Sequence, residues 1–137
     1  MSMTPYAIVI HTIDHAKAAL AVAAERNTPV VLLSAPGAVA YLGATVFRDM
    51  VSQAAEENPT AQYQAVLDCG DDPGLAMGAM RHGVKSVCVH VRPEIRAKLA
   101  ENAEKRGCSV YHREGPELDL VDMTNPKAAC MAWLMAM

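Results

Sequence analysis

The segment that most constrains the fold of this chain is an apolar run followed by a tight turn and a helix start. The run at residues 65–67 ends at Asp68, the chain turns through Gly70, and a helix begins at Pro73. Asp72 can accept hydrogen bonds from the free N–H groups of the first helical turn, where proline is also well tolerated. A strand, a tight turn and a helix start together form the repeating unit of open parallel α/β sheets.

The same alternation runs through the whole sequence. Apolar runs predict strands at residues 6–11, 30–33, 65–68, 86–91 and 109–113, with a short further piece at 118–121. Helical patterns predict helices at residues 14–26 (capped by Asp14), 38–57, 73–83, 93–107 and 127–135. We therefore expect an α/β fold, a three-layer α/β/α sandwich with a mostly parallel sheet of about five strands, in a Rossmann-like or flavodoxin-like arrangement. The fifth strand is short and polar, so we expect it at an edge.

Length and composition narrow the class of protein. The 137 residues are enough for a full core and predict a single α/β domain over residues 1–137, and the hydrophobic content of 52% argues against disorder. The net charge of −3 argues against a nucleic-acid partner. No apolar run is long enough to cross a membrane and no secretory signal is visible, so we expect a cytoplasmic protein with four reduced cysteines.

Ligands of open α/β sheets bind beyond the carboxyl ends of the strands, which makes that edge the predicted site. Three of the five histidines fall at predicted strand ends. The predicted ligand-binding residues are Ser34, Gly37, Cys69, Gly70, Asp71, His11, His90 and His112.

Two turns at this edge have the chemistry of an anion site. Residues 34–37 and 69–74 both lead into helix N-termini, where free N–H groups and the helix dipole favour negative charge. The first turn is the better candidate, since Ser34 can donate a hydroxyl and Gly37 permits close approach, whereas Asp71 and Asp72 would repel a phosphate. Neither turn carries a nucleotide-binding fingerprint, and no cofactor is indicated.

Two kinds of catalytic site remain open at the same edge. Suitable metal-ligand types occur there, but without diagnostic spacing, so no metal ligand is assigned. These residues are His11, His15, Asp68, Cys69, Asp71, Asp72, His90 and His112. Cys69 precedes a helix N-terminus and could act as a nucleophile with His90 or His112 as base, although the neighbouring aspartates disfavour a thiolate.

The C-terminal segment 128–137 is apolar almost all round, which predicts burial against the sheet or against another subunit, and so a homo-oligomer.

The leading hypothesis is a small cytoplasmic domain that binds a small anionic or phosphate-bearing ligand. The alternatives are a metal- or histidine-dependent enzyme that uses the same edge, and an oligomeric interaction module that acts through its C-terminal helix. Whether the protein is an enzyme is left open by the sequence.

Overall fold

A computed structural model describes residues 6–136, and these contain six strands and six helices. The strands are β1 Tyr6–Val9, β2 Val30–Leu33, β3 Tyr63–Asp68, β4 Ser86–Cys88, β5 Ser109–Val110 and β6 Glu117–Asp119. The helices are α1 Ile13–Arg26, α2 Val39–Leu42, α3 Ala44–Glu57, α4 Pro73–Arg81, α5 Pro93–Lys105 and α6 Pro126–Met135. The chain divides into two compact units and passes between them several times.

The first unit comprises residues 6–33, 50–64 and 115–136 of the described chain. In it β1 lies between β2 and β6, and both pairings are parallel. Helices α1 and α6 pack against each other and contact β2 and β1, respectively. The side chains of Ile8, Leu20 and Leu32 are fully buried and form the apolar centre of this unit.

The second unit comprises residues 34–49 and 65–114. In it β4 lies between β3 and β5, again with parallel pairing, and Asp68 of β3 stands opposite Cys88 of β4. Helices α4 and α5 pack against each other and against β4 and β5, respectively. Because the strands are parallel, Asp68, Cys88 and the loop after β5 come to one end of this unit.

The prediction of an α/β fold with parallel strands is confirmed, and the short segment near residue 118 is a sixth strand. The Rossmann-like or flavodoxin-like arrangement is not confirmed. Those folds place β1 beside β2 and beside β4 or β3, whereas here its neighbours are β2 and β6. The three-layer sandwich is not confirmed either. That the chain is one domain stays a prediction.

Two local predictions were wrong for identifiable reasons. The helix expected over residues 38–57 is divided at Gly43, whose φ of 80° is incompatible with a continuous right-handed helix. Helix α1 is capped by Thr12, whose hydroxyl accepts a hydrogen bond from the backbone N–H of His15, and Asp14 lies in the first turn instead.

Among the described helices none has the length and apolar content required to cross a bilayer.

Candidate active site at the ends of β3, β4 and β5

The centre of the candidate site is the carboxylate of Asp68, the last residue of β3, which is only 1% exposed. Its Oδ1 atom accepts hydrogen bonds from the backbone N–H groups of Gly37 and Gly70, each at 2.9 Å. Its Oδ2 atom is 3.0 Å from Arg113 Nη1 and 3.2 Å from His90 Nε2. Four groups therefore surround one buried carboxylate.

Burial by itself would raise the pKa of Asp68, but this effect is outweighed. The N–H groups of Gly37 and Gly70, with the side chains of His90 and Arg113, favour the ionised carboxylate and hold the pKa below its usual value. Asp68 is therefore a buried anion near neutral pH.

Each of the two turns that the sequence predicts to bind an external anion donates one backbone N–H, from Gly37 or from Gly70, to the carboxylate of Asp68. Gly37 and Gly70 have φ angles of 69° and 61°, which glycine adopts without strain and which direct their N–H groups to Asp68. The Ser34 hydroxyl accepts a hydrogen bond from the Asp68 backbone N–H at 2.8 Å and is 3.3 Å from the carbonyl of Ala35. The predicted convergence of these residues is thus found, but their polar groups hold Asp68.

The cysteine in the second turn lacks the properties of a nucleophile. Cys69 is 1% exposed and its thiol is 3.5 Å from the carbonyl oxygen of Leu67. Burial, reinforced by the charge of Asp68, raises the pKa of Cys69 to about 12. Asp71, two residues further on, is exposed. That Cys69 and Asp71 line a ligand site stays a prediction.

Beside Asp68 opens a cleft of about 550 Å³, which we call the β4–β5 cleft. It is lined by Cys88, Val89, His90, Val91, Arg92, Arg96, His112 and Arg113. Three arginines and two histidines face it, and no acidic residue is among the lining residues. The predicted residues His90 and His112 are thus brought to one cleft.

The arginine and histidine side chains of the cleft differ in whether a carboxylate already lies beside them. Arg113 is 9% exposed, and its Nη1 atom also donates to the carbonyl of Ser34 at 3.1 Å. Arg92 and His112 lie 3.3 and 3.5 Å from the exposed carboxylates of Glu94 and Glu114. Within the described residues Arg96 forms no ion pair, which makes it the cation most available to an anionic ligand.

His11, the remaining predicted residue, belongs to the first unit. Its Nε2 atom is 2.6 Å from Asp119 Oδ1, and its backbone N–H donates to His15 Nδ1 at 3.0 Å. Partial burial and the proximity of His11 lower the pKa of His15. Together these contacts connect the end of β1 to the end of β6.

The arginines of the cleft and Cys88 are not among the site residues predicted from the sequence. Arg92 is the N-cap residue of α5, Arg96 lies near the start of that helix, and Arg113 follows the end of a strand. Their position near the carboxyl ends of predicted strands could have identified these arginines as candidate site residues. Cys88 gave no signal of its own, since a buried cysteine within a strand is typical of core. Its pKa is raised to about 11, by burial and then by the charge of Asp68.

Residues 3–107 match the family model of class-II fructose-bisphosphate aldolase. The chain belongs to this family. The match takes in nearly all of the second unit but ends before His112 and Arg113. Curated relatives agree with the assignment.

The plasmid-encoded fructose-bisphosphate aldolase of Cupriavidus necator is 31% identical over 116 residues, which cover 80% of this chain and 34% of that protein. The fructose-bisphosphate aldolase of Xanthobacter flavus is 30% identical over 78 residues, covering 57% of this chain and 22% of the relative. This aldolase-family chain thus spans about a third or less of the length of these curated relatives.

Among solved structures, the fold is similar to that of a Coccidioides immitis protein assigned as a fructose-1,6-biphosphate aldolase. The TM-score is 0.61 at 21% identity, over 93% of this chain and 52% of the other. At this identity the likeness concerns the fold alone. In the second unit consecutive strands lie side by side in chain order and the helices between them pack together, as in a (β/α) barrel.

Proposed function

We propose that this protein binds a phosphorylated sugar in the β4–β5 cleft. The observation that carries the proposal is the convergence of three arginines and two histidines on one cleft at the carboxyl ends of parallel strands. Guanidinium groups bind phosphate oxygens through paired charge-assisted hydrogen bonds, so the cleft has the chemistry that such a ligand needs. Membership of an aldolase family named for a sugar bisphosphate supports the same ligand class.

This proposal relocates the anion site predicted from the sequence without changing the class of ligand. The N–H groups of Gly37 and Gly70 already donate to Asp68, whereas Arg96 has no carboxylate partner in the part of the chain that the structure describes. Asp68 in turn holds Arg113 and His90 at the wall of the cleft. Its role in binding is to position these two side chains.

The test is calorimetric titration of the full chain with fructose 1,6-bisphosphate, beside fructose and inorganic phosphate. We expect saturable binding of the bisphosphate and none of unphosphorylated fructose. Arg96→Gln should weaken binding about 10- to 100-fold, because one charge-assisted hydrogen bond contributes about 1.5–3 kcal/mol.

Lys98→Gln is the matched control, since Lys98 lies exposed on the same helix α5 and does not line the cleft. It should leave the affinity unchanged. Equal weakening by both substitutions would mean that only the general charge of the helix matters, and the cleft would be the wrong site.

A second candidate function is aldolase activity itself, favoured by the family match. Incubation with fructose 1,6-bisphosphate, with and without added divalent metal, distinguishes it from binding alone. Turnover that is abolished by Arg96→Gln would support the enzyme, whereas binding without turnover would limit the function of this chain to binding.

A further inference from the structure

We propose that His11, His15 and Asp119 form an acid-sensitive switch at the carboxyl ends of β1 and β6, which opens when the ring of His15 is protonated. His11 lies two residues after β1, His15 stands in the first turn of α1, and Asp119 is the last residue of β6. All three belong to the first unit, whereas the β4–β5 cleft belongs to the second. The proposal is therefore independent of ligand binding in that cleft.

The bond that acid breaks is the one that His15 accepts. The backbone N–H of His11 donates to His15 Nδ1 at 3.0 Å. A backbone N–H is only a donor, so Nδ1 must offer a lone pair, and the ring is neutral with its proton on Nε2. Protonation of the ring places a hydrogen on Nδ1 and removes the acceptor. The two N–H groups then oppose each other, and the turn after β1 loses this contact.

The second bond of the switch withstands the same change in pH. A carboxylate only accepts hydrogen bonds, so His11 donates its Nε2–H to Asp119 Oδ1, at 2.6 Å. Neutral and protonated imidazole rings can both donate from Nε2, so this bond persists in mild acid. Asp119 Oδ1 also accepts the N–H of Val121 at 2.9 Å, which holds the chain after β6 at the same atom. Acid therefore acts on His15 while His11 stays bound to Asp119.

The groups around His15 favour its neutral form. Burial and then the charge of His11 lower the pKa of His15, whereas Asp119 of β6 and Asp14 of α1 act in the opposite direction. The ring centroids of His11 and His15 are 5.7 Å apart, with the ring planes at 87°, so two protonated rings would repel each other across this contact. The neutral acceptor that the His11 N–H requires is thus kept into mild acid before it is lost.

Protonation opens this contact without unfolding the elements beside it. The Ile10 N–H donates to the carbonyl of Leu33 at 2.8 Å, and the hydroxyl of Thr12 accepts the N–H of His15 at 3.1 Å. Neither bond involves an imidazole ring, so the strand pairing and the helix cap remain. The opening is confined to the turn between β1 and α1, at the strand ends where ligands of parallel sheets bind.

The lowered pKa also fixes how stability depends on pH. Because the pKa of His15 is lower in the folded than in the unfolded chain, its contribution to stability is complete above the unfolded value of about 6.5. The contribution is lost as the pH falls from there through the folded pKa. His15→Asn keeps an acceptor oxygen but cannot titrate, so wild type should lose stability relative to this variant below about pH 6.5.

The experiment is amide hydrogen exchange of the isotope-labelled full chain by NMR, between about pH 8 and about pH 5, with the His15 ring resonances followed in the same samples. We expect neutral His15 to carry its proton on Nε2. Protection of the His11 amide, corrected for the intrinsic effect of pH on exchange, should fall about three- to tenfold with the midpoint of the His15 titration, because one hydrogen bond is lost. His15→Ala should lack this protection over the whole range.

His82→Asn is the matched control, because His82 is an exposed histidine of the second unit. It should leave the His11 amide and its pH dependence unchanged. The proposal is overturned if neutral His15 carries its proton on Nδ1, or if protection of the His11 amide does not follow the His15 titration. It is also overturned if His15→Ala or His15→Asn keeps the acid dependence of wild type, since another group would then be responsible.

Discussion

At the scale of single residues, Asp68 organises the candidate site. Two backbone N–H groups hold one of its oxygens, and Arg113 and His90 contact the other. A buried charge is stable only when such partners compensate the loss of water. The aspartate therefore holds both glycine turns and two side chains of the cleft wall at once.

Replacing Asp68 with Asn should lower the free energy of unfolding by about 3–5 kcal/mol, because Arg113 would remain as a buried charge without its counter-ion. Urea unfolding measures this change. Asp71→Asn is the control, since Asp71 is exposed and its substitution should alter stability by less than about 0.5 kcal/mol. Comparable losses in the two variants would contradict a central role for Asp68.

The same contacts predict a dependence on pH. The pKa of Asp68 is lower in the folded than in the unfolded chain, so its contribution to stability is complete above the unfolded value of about 3.9. The contribution is lost as the pH falls through the lower, folded pKa. The difference in stability between wild type and Asp68→Asn should therefore shrink below about pH 4, and a difference that stays constant down to strong acid would refute this assignment.

At the scale of elements, the strand–turn–helix unit around Asp68 behaves as its sequence indicates. Asp72 caps α4 by accepting a hydrogen bond from the Leu75 N–H at 3.1 Å, and Pro73 occupies the first turn. Gly43 shows the limit of such local inference. The apolar stripe over residues 38–57 predicted one helix, and the glycine conformation that divides it is set by the surrounding structure.

Asp72→Ala should reduce stability by about 1 kcal/mol, as loss of an N-terminal cap does. Thermal or urea unfolding gives the value, and Asp72→Asn serves as the control because asparagine caps nearly as well. If the asparagine variant is as unstable as the alanine variant, charge rather than capping is the cause.

At the scale of the whole molecule, residues 3–107 match the family model, and the chain spans only part of the length of its curated relatives. Helix α6, predicted to mediate oligomers, packs against α1 with Cys130 and Leu134 buried. Its Met135 is 57% exposed, so part of the apolar helix remains on the surface. Homo-oligomerisation through this helix stays a prediction.

Light scattering should give a solution mass that is a multiple of the monomer mass, and Met135→Lys should shift it toward the monomer by placing a charge in an apolar contact. Val121→Lys, at another exposed apolar residue of the first unit, is the control. A wild-type mass equal to one chain would contradict the interaction module.

The sequence alone determined the strands and helices of this protein and the strand ends at which its candidate site residues lie. Apolar runs, caps and turn residues act over a few positions, so five strands and the convergence of Ser34, Gly37, Gly70 and His90 could be predicted from them. The tertiary structure decided which strands are neighbours and which charges are paired. The neighbours of β1, the hydrogen bonds from both turns to Asp68, and the positions of Cys88 and Arg113 beside it depend on contacts between residues far apart in the sequence. Ser34 and Arg113 are 79 positions apart, and His11 and Asp119 are 108 positions apart. No local pattern encodes such contacts, because their energies arise only once the parallel strands bring these side chains together.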